Sequence, residues 1–207
     1  WSKIRLSHDH YEGWICNKQW LEIEEETYKI LDKEVSAITT DILDVITKDY
    51  PQPIVIGSIL PSYKSGYALI GEIMYQFDGL TTPGFSKKEK LIDSALMYLN
   101  APYLWGGRSP LGIDCSGLTQ MVYRLQGIDI PRDAYQQAEI GTTLSFVEES
   151  EAGDLAFFDD NEGKITHVGI IMENNHIIHA SGRVRIDRID QQGIFNKALG
   201  THTHQLR

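Results

Sequence analysis

One cysteine, Cys115, stands directly after Asp114 and directly before a segment that reads as a helix, in GIDCSGLTQMVYRLQG, residues 112–127. An aspartate at a helix start accepts hydrogen bonds from the free backbone N–H groups, so Asp114 reads as the N-cap and Cys115 as the first helical residue. A helix N-terminus carries partial positive charge, which lowers the pKa of a thiol placed there and makes it a nucleophile near neutral pH. The same N–H groups can receive an oxyanion. Ser116 and Gly117 keep the mouth of the helix small. Position alone leaves a second reading open, a buried structural thiol, since Cys115 lies one turn before Leu118 on the apolar stripe.

A nucleophilic thiol needs an imidazole beside it, and the imidazole needs a third group to fix its tautomer. His167 opens HVGI and His179 closes IIHA, both in strand-like runs. A second histidine can serve as the third group. The other histidines read as solvated: His202 and His204 in the tail THTHQLR, and His8, His10 and His176 in turn-like sequence. If His167 and His179 face each other across a hairpin, it centres on Glu173. A two-residue turn at Asn174 and Asn175 would put the two rings on opposite faces, because side chains alternate along a strand. A shared face requires a three-residue loop or a bulge within MENNH, and asparagine tolerates the left-handed backbone such loops use.

The elements that must position these groups fall into two parts. Residues 1–80 read as β-rich, with YEGWICNKQWLEI, PIVIGSILPSY and GYALIGEIMYQF as strand-like runs broken by Gly and Pro. Between them, residues 33–50 read as an insertion, with Ile38, Ile42, Val45 and Ile46 spaced for a helix. DGLTTPG, residues 78–84, is the boundary. The second part, residues 85–207, opens with a helix. Ser86 and Glu89 form its capping box, and Leu91, Ile92, Ala95, Leu96 and Leu99 form its apolar face. After Asp114 a second helix buries Leu118, Met121, Val122 and Leu125 and stops at Gly127. From Gly153 the chain turns to strands. Helices followed by an antiparallel sheet predict an α+β fold.

Composition limits the partners. The formal net charge is -10, which argues against nucleic acid or an anionic membrane, as both need a basic patch. No apolar run approaches the ~18 residues of a membrane span. Cys16 and Cys115 are too far apart in sequence for a metal-binding pair, and two cysteines do not make a disulfide scaffold. No metal or cofactor is expected. The chain begins with Trp1, so the native start is expected to precede it. The compartment, cytoplasmic or periplasmic in a bacterium, stays open.

Six segments in order, YLWGG (103–107), DCSGL (114–118), PRDAYQQ (131–137), GDLAFF (153–158), HVGI (167–170) and IHASG (178–182), resemble the NlpC-type peptidases, which are bacterial papain-like cysteine peptidases of the cell wall. The resemblance spans residues 86 to about 190. The β-rich first part resembles a bacterial SH3-like barrel, from which the insertion at 33–50 departs.

The resemblance implies Cys115 as nucleophile, His167 as general base and His179 as orienting residue. It places Tyr103 beside the thiol, although packing against Trp105 is an equal reading. Asp114, Ser116 and Arg132 are implied in lining the substrate site. SH3-like and catalytic parts joined in this way, with PRDA after the nucleophile helix, resemble the recycling subgroup. Those γ-D-glutamyl-L-diamino acid endopeptidases act on free murein stem peptides. In that subgroup an aspartate matching Asp133 binds the free amine of the substrate, and Glu12 is the candidate to help it. Asp133 has a second reading as a partner of Arg132, and Glu12 as a solvated charge. Two other functions remain: a lytic endopeptidase of intact wall, and a non-catalytic wall-binding protein. A lipid acyltransferase has a different motif order.

Overall fold

The structure is a computed structural model and describes residues 1–34, 37–82, 90–160 and 162–207. The chain divides into two compact units, Trp1–Phe85 and Ser86–Arg207. The capping box at Ser86 and Glu89 lies outside the described residues.

The N-terminal unit opens with a hairpin of β1 (Ser2–Arg5) and β2 (Glu12–Ile15), followed by α1 (Glu25–Lys33). Glu12 lies on β2, with its carboxylate 2.6 Å from the Lys3 ammonium. Two small antiparallel sheets follow. One joins β3 (Ala37–Thr39), β6 (Ile59–Leu60) and β9 (Thr81–Thr82). The other joins β4 (Leu43–Thr47), β5 (Pro51–Val55), β7 (Tyr67–Ile70) and β8 (Ile73–Gln76). Ile46, Leu60, Ala68 and Phe77 form the core of this unit.

The helix expected within residues 33–50 is absent from the described ones; 37–39 and 43–47 are strands. Ile38 and Ile46 are buried, whereas Ile42 and Val45 are about half exposed, so the four residues of the helical spacing have no common buried side. Their β-branched side chains suit a pleated strand better than a helix. The helix instead lies earlier, at α1. It buries no residue; an acidic first turn, Lys33 in the last turn and a Glu25–Lys29 pair favour it.

The C-terminal unit places short helices beside a barrel. Helix α2 (Leu91–Leu96) buries Leu91 and Ala95. Beyond it the winding tightens, with N–H groups of Tyr98 and Leu99 bonding the carbonyls three residues back. Tighter winding turns Tyr98 fully inward and leaves Leu99 at 41% exposure, against the expected apolar face. A hairpin of β10 (Arg108–Ser109) and β11 (Gly112–Ile113) leads into α3 (Cys115–Leu125). This helix buries Leu118, Met121, Val122 and Leu125 as its sequence predicts. Gly127, at φ +76°, bonds back to the Arg124 carbonyl and stops it. A short α4 (Ala134–Gln137) follows.

Six antiparallel strands complete the unit: β12 (Leu155–Asp159), β13 (Ile165–Met172), β14 (His176–Ser181), β15 (Arg183–Asp190), β16 (Gly193–Asn196) and β17 (Thr201–Leu206). The expected antiparallel sheet is present and closes into a barrel, because β17 returns to pair with β12 through Phe158 and Leu206. The tail THTHQLR, read as solvated, is the closing strand. Among the described residues no helix is long and apolar enough to cross a membrane.

Candidate active site

The head of α3 is built around Asp114. Its side chain accepts from the Gly117 N–H at 2.7 Å, capping the helix, and from the Gly106 N–H at 2.7 Å. Arg132 grips the same carboxylate with two nitrogens, at 3.0 and 2.6 Å, and donates to the Ser116 hydroxyl at 2.8 Å. Asp114, Ser116 and Arg132 are all buried. The three residues implied in lining the substrate site thus hold one another. They fix the loop before Cys115 and the segment after its helix. Gln137 adds a second clamp, donating to the Ser116 and Pro131 carbonyls at 3.1 and 2.8 Å. Glycine is required at 117, where a Cβ would lie 2.4 Å from the Gly107 carbonyl oxygen.

Cys115 is buried at this helix start, within reach of the backbone N–H groups of Ser116 and Val168 and its own. Val168 follows His167, so the thiol lies against β13. The expected fall in thiol pKa is not found. Burial pushes the Cys115 thiol up, and the Asp114 carboxylate adds to this; the three N–H groups oppose it. Tyr103 lies close by. Burial raises its phenol, and Cys115 and Asp114 raise it further. Trp105 is 85% exposed, so Tyr103 is not held by core packing against it.

The histidines meet on the barrel. The loop between β13 and β14 is Glu173–Asn175, three residues, with Asn174 and Asn175 at φ +58° and +56°. The odd count puts His167 and His179 on one face. The hairpin centres on Asn174 and not on Glu173, so His179 pairs with Gly169 and the two histidines are diagonal neighbours. Gly169 clears the diagonal, since a Cβ there would lie 2.9 Å from the His179 Cβ. His167 Nε2 and His179 Nδ1 are 2.8 Å apart. Burial, then the neighbouring His179 and His204, hold His167 well below its ordinary value.

The sequence reading missed the rest of this chain. His179 Nε2 is 3.0 Å from Asp187 Oδ2, and Arg185 donates to Asp187 Oδ1 at 2.9 Å. Burial works to raise the Asp187 carboxyl. Hydrogen bonds from His179 and Arg185, with the Arg185 charge, overcome it and hold the group at about 2. His204, expected to be solvated, stacks on His167 with centroids 4.2 Å apart. Burial, then His179, hold it at about 4. The signal for Asp187 was present as alternation in RVRIDRID, which sets Arg185 and Asp187 on one face; no signal marked His204.

Ligand atoms of His167, His179 and His204 lie within 4.8 Å of one another. His167 and His179 already bond each other, His179 bonds Asp187, and the His204 ring stacks on His167 at an interplanar angle of 28°. Both nitrogens of His179 are thus already engaged by hydrogen-bond partners. Asp133 begins α4 and is half-buried; its N–H bonds the Gln136 side chain at 3.2 Å. Arg132 is held by Asp114 instead, and among the described residues no ion pair involves Asp133.

A cysteine at the head of a helix, set against histidines on an antiparallel barrel, defines a papain-like fold. Residues 100–203 match the NlpC/P60 family, and the chain belongs to it. Trp1–Phe85 lie outside the match. The chain is 40% identical over 94 residues to a γ-D-glutamyl-L-lysine dipeptidyl-peptidase of Bacillus subtilis, covering 44% of this chain and 31% of that protein. It is 37% identical over 108 residues to dipeptidyl-peptidase 6 of Lysinibacillus sphaericus, covering 51% and 38%. The matched stretch thus spans about a third of these relatives. A crystal structure of an NlpC/P60 family protein from Bacillus cereus superposes with a TM-score of 0.75 at 24% identity, covering 86% of this chain and 65% of that one.

Proposed function

We propose that this protein is a cysteine peptidase that cleaves the γ-D-Glu–diamino acid bond of free murein stem peptides carrying an unblocked L-Ala. The observation that carries the reading is the hydrogen-bonded histidine pair beside a helix-borne thiol. Cys115 and His167 each resist their charged form in this dry site. Transfer of one proton from sulfur to imidazole creates two opposite charges that stabilise each other, so the pair ionises together. The nitrogen of His167 not bonded to His179 is Nδ1, and it takes the thiol proton. Sulfur attacks the γ-carbonyl, and the oxyanion is held by N–H groups at the head of α3. His167 then gives its proton to the departing amine, leaving a thioester on Cys115. Water, deprotonated by His167, attacks the thioester, and the thiol leaves with the proton.

The names of the relatives support the bond, and Asp133 supports the free amine. Its carboxylate is not neutralised by Arg132, and Arg132 and Gln137 dock its segment onto the first turn of α3. A carboxylate–ammonium hydrogen bond contributes about 1.5–3 kcal/mol, about ten- to a hundredfold in specificity. The N-terminal unit, with its two small sheets, is read as the SH3-like module of this arrangement. Mass spectrometry of products from L-Ala-γ-D-Glu-diamino acid peptides, with lysine or diaminopimelate, tests the proposal. Expected are cleavage of the free peptide, almost none of its N-acetylated form, and a large rise in KM for Asp133→Asn. Efficient digestion of N-acetylated peptide or of whole sacculi by the unaltered protein would replace this reading with the lytic one.

A further inference from the structure

Asp187 and Arg185 lie beyond the cysteine and two histidines that the chemistry requires, yet they close the hydrogen-bonded chain that runs from His167 through His179. His179 is 1% exposed and His167 7%, and the partners the structure gives their bonded ring nitrogens are protein groups. With Asp187 held ionised, its oxygen facing His179 can only accept. The proton of a neutral His179 must then lie on Nε2, which leaves Nδ1 as an acceptor. His167 Nε2 must in turn carry a proton to donate to it. That leaves His167 Nδ1 unprotonated, the state a base needs.

Arg185 controls the same chain through charge. It sits directly opposite His179 in the strand register and shares its face with Asp187. Its guanidinium neutralises the carboxylate. Without it, a lone buried carboxylate favours a second proton on His179. A doubly protonated His179 donates from Nδ1, so His167 Nε2 must accept and its own proton moves to Nδ1, which blocks the base. His204 also faces this cluster and is neutral near pH 7, with its pKa at about 4.

We propose that Asp187 and Arg185 are positioning residues that fix the tautomers of His179 and His167, and so keep His167 Nδ1 free to take the Cys115 proton. The proposal rests on the peptidase reading for its purpose, but its test does not need a substrate. Nitrogen-15 NMR of histidine-labelled protein at pH 7 reads each ring nitrogen as protonated or bare. The unaltered protein should show bare Nδ1 on both His167 and His179 and protonated Nε2 on both. Asp187→Asn and Arg185→Met should each move protonation onto His167 Nδ1 and slow alkylation of Cys115 by iodoacetamide tenfold or more. Alkylation of Cys16 provides the internal reference. With a cleavable peptide, kcat should fall about a hundredfold or more at little-changed KM, as expected for a lost tautomer. A protonated His167 Nδ1 in the unaltered protein overturns the proposal even if neither variant folds. So does an unchanged nitrogen pattern in folded variants. If the NMR pattern holds and no stem peptide is cleaved, only the substrate reading fails.

Discussion

Arg132 is the residue through which folding and reactivity can be separated by measurement. Its guanidinium makes two hydrogen bonds to Asp114 and one to Ser116, with Asp114 and Arg132 both buried. Arg132→Leu leaves the Asp114 carboxylate buried without its cation. Breaking a buried pair in this way costs about 3–5 kcal/mol, which urea denaturation would read as a lower midpoint at unchanged slope. A second effect falls on the neighbouring thiol. Asp114 already raises Cys115, and an unneutralised charge raises it further. At an effective dielectric of about 20 two charges 4 Å apart interact by about 4 kcal/mol, and about half of that, ~2 kcal/mol, is taken as the added repulsion between these adjacent side chains. That corresponds to about thirtyfold less thiolate at a given pH below the thiol pKa. Iodoacetamide should therefore alkylate Cys115 of Arg132→Leu about thirtyfold more slowly at pH 7, with Cys16 unaffected. Adding Asp114→Asn removes the stranded charge and keeps an N-cap for Gly117. The double variant should regain most of the stability and the alkylation rate. A folded Arg132→Leu that alkylates like the unaltered protein, or a double variant as slow as the single one, refutes the electrostatic account.

Two further outcomes follow from the site. Cys115→Ala should abolish turnover with its circular dichroism and urea midpoint nearly unchanged, whereas Cys16→Ala should keep full activity; retained cleavage by Cys115→Ala would remove the thiol from the mechanism. Stability should also fall as pH drops below 6.5, because unfolded His204 and His167 take up protons that the folded rings resist, His204 until about pH 4. The unfolded state binds more protons in that window, so the sign is a loss on acidification. Allowing for solvent screening at the partly exposed His204, its share is about 1 kcal/mol at pH 5. His204→Phe should reduce the fall between urea midpoints at pH 7.5 and 5; an unchanged fall would exclude His204 as its source.

Local chemistry made the helix that Cys115 opens legible without a structure. An aspartate that caps, a cysteine behind it, an apolar stripe at 118, 121, 122 and 125 and a glycine stop are all set by contacts within a few residues. Alternation along a strand left the 167–179 hairpin with a three-residue loop or a bulge as ways to keep both histidines on one face, and the structure takes the three-residue loop, centred on Asn174. What failed were assignments that depend on distant chain. Residues 37–47 carry helical spacing but are paired as strands by β5, β6, β8 and β9. Leu96 and Leu99 both face outward, and Tyr98 is buried instead. His204 looks like a tail residue until β17 closes the barrel and stacks it on His167. Asp187 became part of the site only through the register of β14 with β15. The thiol's pKa went the other way from the helix-terminus expectation, because burial and the Asp114 charge outweigh three N–H groups. Sequence alone determined which groups could do chemistry at Cys115, His167 and His179. The tertiary structure decided which of them are dry and which are paired, since desolvation and strand register exist only once the barrel has closed.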